Sequence, residues 1–425
     1  YLALLRCRSE TVPHFGATSA HALFRIGPTF GLANDPFRRS RAIIRTQRFG
    51  AIKARATNKI PVQVSVSHRL RVHSRWNLNF ICVFFFMIDP ATQFLIQAED
   101  IPKQPEDVRR WHGLQGAAFA LAIHETALAE NRCILIIAEH SQSAQRLQQE
   151  LAFFSGGAYP IDIFPDYETL IYDGFSPHQD ILSDRLALLS RAALDRAVVI
   201  VPAATLLLRL PPRAFLLGHN LRLQTGQRLD LSTLRRQLHA SAYRAVDTVI
   251  EHGEFTVRGS VLDLFPMGAA DPFRVELFDD EIESIRTFDP ETQLSTGITD
   301  AIDTLPAREF PLSKEGIRLF QDQWHEQFGG NPRDCRMYQD VAQGQAPAGI
   351  EYFLPLFYTE TETLLNYLPA DLLLITEAIA NPIQSYWETA RSRYESLRYD
   401  LERPILPPEV LLLAEDELMG LLKIG

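Results

Sequence analysis

Four carboxylates crowd into five positions at Asp279, Asp280, Glu281 and Glu283. Such oxygen-rich clusters suit a hard divalent cation, and with it the activation of water in a metal-dependent nuclease or hydrolase. The same residues lie between two stretches of alternating apolar and polar side chains, where Asp is favoured in turns, so a hairpin turn is the competing reading. Ser176, His178 and Asp180 in 174-GFSPHQD-180 have the side chains of a nucleophilic triad. Residues two apart in a loop rarely converge in that way, no GxSxG elbow accompanies them, and Asp180 reads better as a helix cap. Gly113 and Gly116 in 113-GLQGAAFA-120 are the nearest approach to a phosphate loop, but the Lys and Ser/Thr of GxxxxGK(S/T) are missing. The two glycines are expected to ease the start of a helix and to bind no nucleotide.

A different constellation lies in 251-EHGEFTVRGSVLDLFPMGAADPFRVELFDDEIES-284, where apolar and polar residues alternate with the period of a strand. In 273-FRVELF-278, Phe273, Val275 and Leu277 share one face and leave Arg274, Glu276 and Phe278 on the other. In 254-EFTVR-258, Phe255 and Val257 point inward, and Glu254, Thr256 and Arg258 outward. Two arginines and an exposed aromatic on one small sheet have the composition of a protein-binding hot spot. An ordinary solvated face with weak Arg–Glu pairs would have the same composition.

The elements that must position these residues alternate along the chain. The segment 107–131, rich in Ala and Leu, predicts a helix, 133-CILIIA-138 a buried strand, and 141–154 an amphipathic helix capped by Ser141. The order repeats with 161–170 extended, 180–194 helical from an Asp180 cap, and 198-VVIVP-202 a fully buried strand. Strand and helix in alternation predict a parallel α/β sheet over 90–217. From 218 to 306 short alternating strands with one helix near 232–243 predict an inserted α+β domain. Long helices return at 308–328 and 377–401, within a third segment, 307–425.

Composition is that of a globular protein, with a formal net charge of −10. Residues 1–86 carry fourteen Lys/Arg against Glu10 and Asp35, whereas 87–425 carry twenty-eight basic against fifty acidic residues. A broad phosphate-binding surface on the main body is therefore not expected. The basic stretch resembles a transit peptide in lacking acids, but its lack of periodicity up to Met87 favours an upstream translation or a disordered extension. Direct DNA binding through it is a further alternative. Cys7, Cys82, Cys133 and Cys335 show no CxxC spacing, which points to an intracellular protein without a disulfide framework or zinc site. Cys133 reads as a core residue. The longest apolar run, 80-FICVFFFMI-88, is too short to span a membrane.

The blocks 159-YPIDIFPDYETLIYDGFSPHQDILSDRL-186, 251-EHGEFTVRGSVLDLFPMG-268, 273-FRVELFDDEIESIRTFD-289 and 346-APAGIEYFLPLF-357 resemble the bacterial transcription-repair coupling factors (Mfd), in their N-terminal, UvrB-like region. The resemblance covers about 90–425. It implies a helicase-like, P-loop-NTPase-type sheet that has lost its phosphate loop, with an inserted domain that binds the repair protein UvrA through Arg258, Arg274 and Phe278. It further implies a cytoplasmic, non-enzymatic adaptor fragment without cofactor, in a family whose full protein is an ATP-driven translocase that releases stalled RNA polymerase. ATP, magnesium, RNA polymerase and DNA would be handled by regions outside this chain. The segment from Tyr167 to Asp180 is too short for the aromatic hairpin with which UvrB grips DNA.

Overall fold

A computed structural model describes residues 95–96, 99–104, 107–191, 196–329, 331–400 and 402–424. The expectations for 1–86, for the apolar run 80–88 and for Cys7 and Cys82 lie outside the described residues. All described residues fall in one compact unit, Asn79–Gly425.

Helix α1 (Ala117–Ala129) begins ten residues later than the composition of 107–131 predicts. Gly113 and Gly116 hold φ of 75° and 54°, backbone that a right-handed helix cannot contain, and Gly116 becomes the N-cap. Strand β1 (Ile134–Ala138) is buried along its whole length, and α2 (Ser141–Ser155) follows. Its N-cap is His140, one residue before the expected Ser141, with the His140 N–H bonded to Ser143 Oγ at 3.0 Å. The extended segment at 161–170 shrinks to β2 (Ile161–Ile163). Helix α3 (Gln179–Ser190) is capped by His178, whose Nδ1 accepts the Asp180 N–H at 3.3 Å, so Asp180 is not the cap. Next come β3 (Val198–Pro202), a 3₁₀ turn (Ala203–Leu207) and α4 (Arg213–Gly218).

The chain then leaves this layer. It forms β4 (Leu221–Gln224), α5 (Leu231–Ala240), β5 (Arg244–Ala245), β6 (Glu254–Arg258), β7 (Val261–Leu264), β8 (Phe273–Phe278), β9 (Glu281–Phe288), β10 (Ser295–Thr299) and β11 (Ala301–Thr304). On return it builds α6 (Lys314–Gln327), α7 (Arg336–Ala342), a 3₁₀ helix (Ile350–Phe357), α8 (Leu364–Tyr367), β12 (Leu373–Thr376), α9 (Ala380–Leu397), α10 (Pro408–Leu411) and α11 (Glu415–Ile424).

Strand β12 joins β1, so the first sheet has the order β12-β1-β3-β2 with all neighbours parallel. The protein is therefore mixed α/β with a parallel sheet. Burial on both faces explains why β1 and β3 read as unbroken apolar runs. Ile134, Ile136, Val198 and Ile200 pack with α1 and α2, while Leu135, Ile137, Val199 and Val201 join the larger core. Cys133 belongs to that larger core.

The second sheet has the order β10-β9-β8-β7-β6-β5, antiparallel except for β5–β6, and β4 pairs separately with β11. Its inner residues Phe255, Leu262, Leu264, Val275, Leu277, Ile282 and Ile285 belong to the same continuous core as the parallel sheet. A charged knot stands where the chain re-enters the first layer. Arg185 Nε donates to Glu309 Oε1 at 2.7 Å with both side chains fully buried, and Tyr167 OH donates to the same carboxylate. The Arg185 guanidinium lies 4.3 Å and 4.2 Å from the ring centres of Phe164 and Tyr167. Desolvation is severe for such a pair, so its geometry and extra hydrogen bonds are what make it tolerable.

Candidate partner-docking face

The outer face of the antiparallel sheet follows from register. Arg258 stands opposite Val261, Thr256 opposite Asp263, Asp263 opposite Arg274, Arg274 opposite Arg286, and Phe278 opposite Glu281. Two tight turns hold the strands, one with Gly259 at φ 61° and one at Asp279–Asp280 with Asp279 at φ 57°. The acidic cluster at 279–283 thus supplies a hairpin turn and its flanks. Asp280 accepts the Leu229 N–H on its backbone oxygen at 2.7 Å and lies 3.8 Å from Arg228, and all four carboxylates are exposed. Among the described residues no three His, Cys, Asp or Glu are grouped to hold a metal ion.

At the centre of the face is Asp263, 0% exposed. Its Oδ1 accepts Arg274 Nε at 2.7 Å, and its Oδ2 accepts Arg274 Nη2 at 3.0 Å and Arg258 Nη2 at 2.6 Å. A carboxylate without water must be paired in this way, since its isolated charge would be very costly. The hydrogen bonds that Arg274 donates to Asp263 push its already high pKa higher. Arg274 also donates Nη1 to the Gln293 carbonyl at 3.3 Å, and its guanidinium lies 4.8 Å from the Phe288 ring centre. Beside this group, Glu276 accepts Ser284 Oγ at 2.7 Å and lies 3.5 Å from Arg286 Nη2.

The three residues singled out in the sequence therefore differ. The Arg258 side chain is 56% exposed, and Phe278 is 75% exposed at the hairpin tip. Arg274, expected to be wet, keeps only 20% of its side chain exposed because Asp263 holds it down. Two companions of the predicted wet face are not wet at all. Glu254 is 5% exposed and accepts the N–H groups of Ile250 and Glu251 at 2.8 and 2.9 Å, closing the loop before β6. Thr256 is 8% exposed, in register with Asp263. Alternation places a residue on a face, but neighbouring loops and long side chains decide whether water reaches it.

Asp263 itself escaped the sequence reading. Its signal was present, a single acid between leucines in 261-VLDL-264, but only strand register shows that both arginines reach it. The other expected sites disperse. Ser176 Oγ donates to Glu351 Oε2 at 2.7 Å and accepts the Gly349 N–H at 3.1 Å, while Asp180 Oδ1 lies 2.8 Å from His252 Nδ1, so no triad forms. Among the described residues no helix is long and apolar enough to cross a membrane.

Residues 221–310 match the UvrB interaction domain family, which defines the class of the antiparallel insert and its flank. The chain is 42% identical over 327 residues to the transcription-repair-coupling factor of Haemophilus influenzae, and 42% identical over 326 residues to that of Escherichia coli. Each match takes in 76% of this chain and 28% of the relative. The Bacillus subtilis transcription-repair-coupling factor is 25% identical over 285 residues, 63% of this chain and 24% of the relative. The chain belongs to the transcription-repair-coupling factor family, as its N-terminal region, and spans just over a quarter of the length of the relatives it matches.

Proposed function

We propose that this chain is an adaptor in transcription-coupled nucleotide excision repair, and that the outer face of its antiparallel sheet docks UvrA. The observation that carries this reading is the exposed Phe278 beside an arginine pair fixed on a buried carboxylate, within the part of the chain that matches the UvrB interaction domain. Phe278 would fill an apolar socket, and Arg258 and Arg274 would donate to acidic groups of the partner. The parallel sheet is read as a helicase-like layer whose phosphate loop has degenerated at Gly113 and Gly116, so these residues would hold neither ATP nor magnesium. The domain limits on this reading are 90–217, 218–306 and 307–425. Release of stalled RNA polymerase, DNA translocation and a cytoplasmic setting are proposed for the whole protein. The test is a calorimetric titration of the 425-residue chain with UvrA, beside a variant carrying Arg258→Ala and Phe278→Ala. Binding by the parent and its loss in the variant is expected. Equal binding by both, or none by the parent, would refute the proposal.

A further inference from the structure

We infer that Asp263 is the positioning residue of this face, a buried carboxylate that holds the two guanidinium groups in the orientation an acidic partner meets. The inference rests on the docking role proposed above and adds to it the residue on which the arginines depend. Arg side chains are long and flexible, and fixing one on binding costs entropy, so a side chain already fixed in the free protein binds more tightly. Asp263 does this from within the sheet. It is fully buried, and its three hydrogen bonds of 2.6 to 3.0 Å restrain Arg258 from β6 and Arg274 from β8.

The restraint is unequal. Of the five N–H groups of a guanidinium, Arg258 gives one to Asp263, whereas Arg274 gives two to Asp263 and one to Gln293. Arg258, with more donors left and 56% of its side chain exposed, is the arm that reaches an acidic group. Arg274, with a smaller exposed part to offer the partner, also fills out the coordination of Asp263 and lies over the Phe288 ring.

Asp263→Asn separates positioning from charge. The substitution keeps shape and one acceptor but removes a negative charge lying between two arginines. If Asp263 only tempered the positive charge of the face, the variant would bind an acidic partner faster and more tightly, most of all at low salt. If it positions Arg258, the complex should dissociate at least about tenfold faster while association is unchanged or slightly quicker. The experiment is surface plasmon resonance of the 425-residue chain on immobilised UvrA at low and physiological salt, with circular dichroism to confirm folding. A double-variant cycle completes it, in which the loss from Asp263→Asn should vanish when Arg258 is already alanine. Arg258→Lys, an exposed change that preserves folding, gives a second reading. It keeps the charge without the planar fork and should also dissociate about tenfold faster. Unchanged or slower dissociation of Asp263→Asn, or parent-like binding by Arg258→Lys, would overturn the inference while leaving UvrA docking intact. No binding by the parent would overturn both.

Discussion

Replacing Arg274 with alanine would leave Asp263 fully buried with one guanidinium in place of two. The lost contacts are hydrogen bonds of 2.7 and 3.0 Å to a carboxylate, one of 3.3 Å to the Gln293 carbonyl, and the placement of the cation 4.8 Å over the Phe288 ring. Hydrogen bonds to charged groups contribute about 1.5–3 kcal/mol each, and a cation–π contact from about 0.5–1 kcal/mol when exposed to about 2 kcal/mol when desolvated, as over the buried Phe288 ring. Arg258 continues to serve Asp263, and water can enter the space vacated, so the net cost is smaller than the sum, about 2–4 kcal/mol. Arg258→Ala removes a single bond from an exposed side chain and leaves the bidentate Arg274 in place, for about 1 kcal/mol or less. Urea unfolding followed by circular dichroism compares the two, with the midpoint reporting stability when the slope is constant. Arg274→Ala within about 0.5 kcal/mol of the parent, or no less stable than Arg258→Ala, would show that Asp263 does not depend on Arg274. The comparison matters for binding studies as well, because weakened docking by Arg274→Ala mixes a lost contact with a loosened sheet.

The tip of the hairpin should behave in the opposite way. Phe278→Ala is expected to change unfolding free energy by less than about 0.5 kcal/mol and to weaken UvrA binding by about 1–3 kcal/mol, and a clear fall in stability would show that the ring packs at home. Glu309→Ala strands the buried Arg185 and should cost about 3–5 kcal/mol in urea unfolding, a prediction that a parent-like midpoint contradicts. Asp230 caps α5, and the hydroxyls of Thr233 and Ser232 hold its pKa down to about 2. Its contribution is complete above the ordinary carboxylate pKa and is lost as pH falls toward about 2. The gap in melting temperature between the parent and Asp230→Ala should therefore narrow on acidification, whereas a constant gap would rule out this origin.

Much of the architecture was legible because apolar patterning repeats with the periods of the elements it forms. The buried runs 133–138 and 198–202, alternating with helical segments, suggested strands of a parallel sheet, and the short alternating stretches beyond 218 suggested a further group of strands. Element ends were less legible, since His140 and His178 cap helices where Ser141 and Asp180 were the stronger local candidates. A cap is chosen by which backbone N–H groups are left over, and that depends on how the preceding loop enters. The turn at Asp279–Asp280 was readable from its flanking strands, and so were the outward positions of Arg258 and Phe278.

The parallel and antiparallel strand groups and the family were legible in the sequence, because these rest on patterns and blocks that are local in the chain. That Asp263 stands between Arg258 and Arg274, that Arg274 is braced and not free, and that Glu254 is buried came from the folded arrangement. Each of these depends on register between strands and on what covers a side chain. Such relations join residues from separate strands and loops, and a linear pattern does not carry them.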